Sequence, residues 1–162
     1  MSTPLVGIVM GSDSDWPLVQ KAADTLRSFG VPFEVRVMSA HRTPDVACEY
    51  ASTAEQRGLK VIIAAAGLAA HLGGVLAAHT VLPVIGIPMP GGPLNGQDAL
   101  YATVQMPSGI PVATVGIGNA ANAALLAVQI LGTADNGLRT KLADYKAAMR
   151  QKVIEADEKI RI

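Results

Sequence analysis

Short apolar runs and amphipathic segments alternate from one end of the chain to the other. Leu5–Met10 is a continuous apolar run of the length a buried strand needs, and the polar stretch Gly11-Ser12-Asp13-Ser14-Asp15 follows it. Val19, Ala22, Ala23, Leu26 and Phe29 recur at helical spacing, with Gly30 where such a helix ends. Phe33–Met38 predicts a second strand. Thr43-Pro44 then reads as an N-cap with proline at the first helical position, opening a helix that buries Val46, Ala47, Tyr50, Ala51 and Ala54 and closes at Gly58. Lys60–Ala65 predicts a third strand with a helix after it around His71–His79. Pro83–Ile87 predicts a fourth strand, running into the loop Pro88-Met89-Pro90-Gly91-Gly92-Pro93. A helix near Gly96–Val104 and a fifth strand at Val112–Ile117 follow. Asn119–Leu131 is a helix apolar nearly all round. A last, charged helix from about 135 to 160 carries the stripe Leu138, Leu142, Tyr145, Met149 and Val153.

Strand–helix alternation of this kind predicts a parallel sheet with helices on both faces. Five strands predict a flavodoxin-like α/β/α sandwich in the order 2-1-3-4-5, one domain over residues 1–162. Composition agrees with a large core: 50% of the 162 residues are hydrophobic and 16% are charged. Intrinsic disorder is therefore excluded. The apolar fraction comes from small residues, with only 4% aromatic. Low charge, together with a helix at Asn119–Leu131 that lacks a polar face, predicts burial between subunits and hence a homo-oligomer; the alternative is a central core helix.

Charge removes other classes. Thirteen basic residues balance thirteen acidic ones, without a basic stripe or the aromatics that stack bases, so no nucleic acid is expected as a partner. No apolar stretch is long enough to span a bilayer, and the N-terminus does not read as a signal peptide. The lone Cys48 suits a reducing cytoplasm. Three scattered histidines and one cysteine make no metal site.

In a sheet of this order, ligands bind beyond the carboxyl ends of the strands, where the order reverses. Strand one delivers Ser12, Ser14 and Asp15 there; strand two delivers Ser39, His41, Arg42 and Thr43; strand three delivers Gly67 and then His71. Hydroxyls, a guanidinium and a helix N-terminus suit a phosphate, and Asp15 suits ribose hydroxyls. Taken singly, each residue has an ordinary explanation. Ser14, Asp15 and Thr43 are N-cap types, Arg42 a surface charge, His41 a loop histidine and His71 a structural one. Their convergence on one edge of one sheet favours a site. Two other patterns fail. Gly116-Ile117-Gly118-Asn119-Ala120-Ala121 matches a dinucleotide fingerprint, but it follows the last strand, and the nearest acid, Asp135, starts a helix. A phospho-acceptor receiver needs an aspartate where this chain has Ala65-Ala66-Gly67.

Three loops carry a resemblance. Met10-Gly11-Ser12-Asp13-Ser14-Asp15-Trp16, Ser39-Ala40-His41-Arg42-Thr43-Pro44 and Ala66-Gly67-Leu68-Ala69-Ala70-His71-Leu72 resemble the signature loops of the class I N5-carboxyaminoimidazole ribonucleotide mutase family. Val104-Gln105-Met106-Pro107 and Asn122-Ala123-Ala124-Leu125-Leu126-Ala127 extend the likeness. The resemblance implies an enzyme of purine (IMP) biosynthesis, working without cofactor or metal as a cytoplasmic homo-octamer. The carboxylate of the substrate would move from the exocyclic nitrogen to ring carbon C4 through a trapped carbon dioxide. By similarity, Ser12, Asp15 and Arg42 bind the ribonucleotide with Ser14 and Ser39 assisting, and Gly67, Ala70, His71 and Leu72 complete the binding site. His41 resembles the general acid/base, since an imidazole can give one proton and take another near neutral pH. Small Ala and Gly residues would keep the carbon dioxide dry. Two positions depart from the family pattern: Leu68 stands where glycine is usual, and Gly73 where proline is. Leucine adds bulk and does not readily take a positive φ. The rival within the family is direct carboxylation by free carbon dioxide, from which His71 argues away. The rival outside it is a non-catalytic flavin or nucleotide carrier, for which only Trp16 and Tyr101 offer aromatic walls.

Overall fold

The structure is a computed structural model describing residues 3–162. Five parallel strands, β1 (Val6–Met10), β2 (Phe33–Val37), β3 (Val61–Ala66), β4 (Val84–Pro88) and β5 (Ala113–Thr114), form one sheet in the order β2-β1-β3-β4-β5. The fold is flavodoxin-like, as the alternation predicts. The inner strands read as unbroken apolar runs because both of their faces are covered. Side chains alternate across the sheet: Ile8, Ile63 and Ile85 join a core with α1 (Trp16–Phe29) and α5 (Ala120–Gly132). Val9, Ile62 and Val84 join a second core with α2 (Pro44–Thr53) and α3 (Leu72–Ala78).

Local chemistry explains the ends of these elements. Gly30 closes α1 at φ 73, a left-handed conformation that glycine holds without a Cβ clash, and its N–H reaches Arg27 O. Asn119 and Asp135 cap α5 and α6 (Asn136–Ile160), accepting from the N–H groups of Asn122 and Leu138. Asp135 therefore has a structural task, consistent with setting aside the dinucleotide pattern.

Four expectations need correction. The fifth strand has only two residues, because the chain turns at Gly116–Gly118 just after Val115 donates to Gly86 O, and Gly118 N–H then reaches back to Pro88 O. Val46 on α2 is exposed rather than part of the buried face. Thr43 precedes α2 without capping it; its hydroxyl accepts from Ser39 N–H at 2.9 Å and donates to Ser39 O at 3.2 Å. The stripe on α6 finds partners over its first turns only. Leu138 is buried and Leu142 half-buried, and Tyr145 tilts against Phe29 at 5.8 Å, whereas Met149 and Val153 are exposed. Lys141 Nζ donates to Phe29 O at 2.8 Å, tying α6 to the carboxyl end of α1.

Within the chain, α5 lies between α1 and α6 and contacts β3 and β4, so much of its apolar surface is covered intramolecularly. That matches the core-helix alternative. Exposed apolar side chains elsewhere include Met149 and Val153 on α6 and, on α4 (Gln97–Val104), Tyr101 and Val104.

Candidate active site

The carboxyl ends of β1, β2, β3 and β4 surround a cavity of about 460 Å³, a size that suits a small-molecule ligand. It lies where the strand order reverses, between β1 and β3. Ser12, Ser14, Asp15, Ser39, His41, Arg42, Gly67, His71 and Leu72 all line it. Ala70 does not. It is buried, and its N–H turns back to Leu68 O at 2.9 Å, so the expected binding role is not supported by its position. The opposite wall is Met89-Pro90-Gly91-Gly92, from the Gly/Pro loop at the end of β4, whose residues were not among the expected site residues.

The first loop is organised by its own hydroxyls. Ser12 caps the 3₁₀ turn Asp13–Asp15, accepting from Ser14 N–H at 3.3 Å, and its Oγ lies 2.8 Å from Ser14 Oγ. Asp15 occupies the N-cap position of α1 but makes no side-chain cap bond. Its carboxylate is left for the cavity. Burial raises the Asp15 pKa above its ordinary value, a backbone hydrogen bond at Ser12 opposes the rise, and the charge of Asp13 adds to it. The cavity thus holds a carboxylate that gains from meeting hydrogen-bond donors.

The second loop is built around Ser39. Its Oγ accepts from the backbone N–H groups of His41 at 3.3 Å and Arg42 at 3.1 Å, fixing both residues as they leave β2. Arg42 Nη2 donates to Gly11 O at 2.9 Å. This bond joins the first two loops and leaves the other guanidinium donors free for an anion. Arg42 is the cation among the described residues lining the cavity, and Asp15 is the carboxylate.

The third loop brings His71 onto His41. His41 Nε2 and His71 Nδ1 are 2.9 Å apart, with the rings edge to face at 4.9 Å between centroids. One ring therefore donates and the other accepts, so the two imidazoles are joined by a hydrogen bond. His71, an ordinary histidine for a helix start when taken singly and a binding residue by resemblance, is bonded to the candidate base. Among the described residues, no three His, Cys, Asp or Glu side chains converge as metal ligands. Leu68 lines the same loop at φ 54, so the leucine does adopt the left-handed backbone it was expected to avoid.

Comparison with known proteins places this cavity in context. The family model described as AIR carboxylase matches residues 5–152. The chain belongs to the AIR carboxylase family. A Pyrococcus horikoshii protein named N5-carboxyaminoimidazole ribonucleotide mutase is 57% identical over 157 residues, covering 97% of this chain and 89% of its own. A Saccharomyces cerevisiae protein named phosphoribosylaminoimidazole carboxylase is 52% identical over 160 residues, which is 99% of this chain and 28% of the yeast protein. The crystal structure of Treponema denticola PurE superposes with a TM-score of 0.89 at 34% identity, covering 98% of this chain and 99% of the other. All three loops fall within the span matched by the family model.

Proposed function

We propose that the chain is an N5-carboxyaminoimidazole ribonucleotide mutase of de novo purine biosynthesis. The reaction moves the carboxylate from the exocyclic nitrogen of the aminoimidazole ribonucleotide to ring carbon C4. The observation that carries this reading is the pairing of His41 and His71 in a cavity that also presents Arg42, Ser12 and Asp15. Arg42 and the serine hydroxyls hold the phosphate and Asp15 accepts from the ribose hydroxyls, while Gly67 and Leu72 border the base. A proton from the His41–His71 pair reaches the exocyclic nitrogen, the nitrogen–carboxylate bond breaks, and carbon dioxide is released inside the cavity. Ring carbon C4 attacks it, and the same pair removes the C4 proton to restore aromaticity. The reaction is an isomerisation, balanced without any further reactant. Its setting is cytoplasmic, and the working form is a homo-octamer.

The direct test supplies each candidate substrate in carbon-dioxide-depleted buffer. Turnover of the N-carboxylated nucleotide without added bicarbonate is the expected outcome. Turnover of the uncarboxylated nucleotide alone, dependent on bicarbonate, would move the chain to the second reading, direct carboxylation. The name of the yeast relative favours that second reading.

A further inference from the structure

Thr43 stands where α2 calls for a cap and does not supply one. A threonine just ahead of a helix ordinarily accepts from the free N–H groups of the first turn, yet Thr43 makes no such side-chain bond. Its hydroxyl turns the other way, accepting from Ser39 N–H at 2.9 Å and donating to Ser39 O at 3.2 Å. The backbone N–H of Thr43 also donates to Ser39 O, at 3.0 Å. These bonds close the neck of the loop Ser39-Ala40-His41-Arg42-Thr43. Inside that loop, Ser39 Oγ accepts from the N–H groups of His41 and Arg42. Ser39, Ala40, His41 and Arg42 line the cavity, and Thr43 does not. A hydroxyl outside the cavity thus holds the backbone that carries the candidate acid/base and the cavity's cation.

We propose that Thr43 is a positioning residue for the reaction: by closing the neck of the loop, its hydroxyl holds His41 within hydrogen-bond reach of His71. The inference rests on the acid/base reading of His41 given above and adds to it a residue that moves no proton. The two cavity residues depend on the neck unequally. Arg42 has a second anchor, its Nη2 donating to Gly11 O at 2.9 Å. The ring of His41 bonds only to His71 among the described residues, also at 2.9 Å. Opening the neck therefore displaces the imidazole more than the guanidinium. Proton transfer needs its heavy atoms within about 2.6–3.2 Å, and a misplacement of about 1 Å can cost roughly 10²-fold in rate. Loss of the Thr43 hydroxyl accordingly falls on turnover before it falls on binding.

The test compares Thr43→Val, which keeps the shape and removes the hydroxyl, with Thr43→Ser, which keeps the hydroxyl. The full chain of each is assayed for kcat on the N-carboxylated nucleotide and for Kd with the C4-carboxylated product, and each is crystallised. Thr43→Val should lose about tenfold to hundredfold in kcat while Kd barely moves, and its His41–His71 contact should open. Thr43→Ser should stay close to wild type in kcat, in Kd and in that contact. Where valine prevents folding, Thr43→Ala, which leaves the neck uncrowded, carries the same expectations. A lowered melting temperature with unchanged kcat would overturn the proposal, because Thr43 would then only brace α2. Equal losses of kcat in Thr43→Ser and Thr43→Val would overturn it too, since the hydroxyl would not be the group that matters. A larger change in Kd than in kcat would move the effect to Arg42 and reject the role at His41. Failure of wild type to turn over the N-carboxylated nucleotide would overturn the mutase reading instead. The crystal structures then decide the neck by themselves: an opened His41–His71 pair in Thr43→Val supports it, and an intact pair rejects it.

Discussion

At the residue scale, the hydrogen bond between His41 and His71 changes what their substitutions should do. His41→Asn keeps a hydrogen-bonding side chain of similar size but cannot shuttle a proton. Its turnover should fall by about 10²–10⁴-fold while nucleotide binding survives, measured as kcat against Kd. His71→Asn removes the partner rather than the proposed acid/base itself, and should cost less turnover. If it costs more, the two roles are exchanged. Arg42→Lys keeps the charge but loses the planar fork that reaches both Gly11 O and an anion. Hydrogen bonds to charged groups contribute about 1.5–3 kcal/mol, so affinity should drop roughly tenfold or more. Isothermal titration with the nucleotide and with its dephosphorylated nucleoside checks this, since only the nucleotide should bind more weakly. For Asp15 the sign follows from its raised pKa, whose main cause is burial. The folded state binds that proton more tightly than the unfolded chain does. Stability from this group is therefore fully present below its ordinary value of 3.8 and lost as the pH rises through the raised folded value. Asp15→Asn should melt higher than wild type at neutral pH, with the gap closing in acid, and should bind nucleotide poorly.

At the scale of elements, β1 and α2 fit by a vacancy. A side chain at Gly7 would collide with the buried hydroxyl of Tyr50 on α2, which meets the geometric criteria for a hydrogen bond with no partner among the described residues. Burial raises the Tyr50 pKa, and the neighbouring Glu34 adds to the shift. Gly7→Ala should therefore destabilise by about 1–3 kcal/mol through overpacking, and Tyr50→Phe should recover part of that loss in the double variant. Urea unfolding of the four proteins measures the coupling. The same elements show what local pattern conveys. The buried face of α1, from Val19 to Phe29, was legible because one face of that helix meets the core along its whole length. The stripe on α6 was legible as a helix, yet only its first part, Leu138, Leu142 and Tyr145, found neighbours in this chain, and Met149 and Val153 are exposed. Periodicity reports that a face is apolar; it does not report what covers it.

At the scale of the whole molecule, a helix of about 37 Å that leaves Met149, Val153 and Ile160 exposed is the face on which the proposed assembly is tested. Light scattering should find an assembly well above 16.7 kDa that resists dilution. A stable monomer would refute it. The sequence alone determined the parallel sheet and its order, because buried strands must be apolar runs and crossovers must be helices. It also determined that the loops after β1, β2 and β3 share one edge, which follows from that topology. Only the tertiary structure decided which atoms meet across those loops. His41 and His71 are 30 residues apart and bond directly, Ala70 turns away, and Leu68 comes to lie on Gly92. Such contacts depend on where independent loops end in space, and local periodicity carries no record of that.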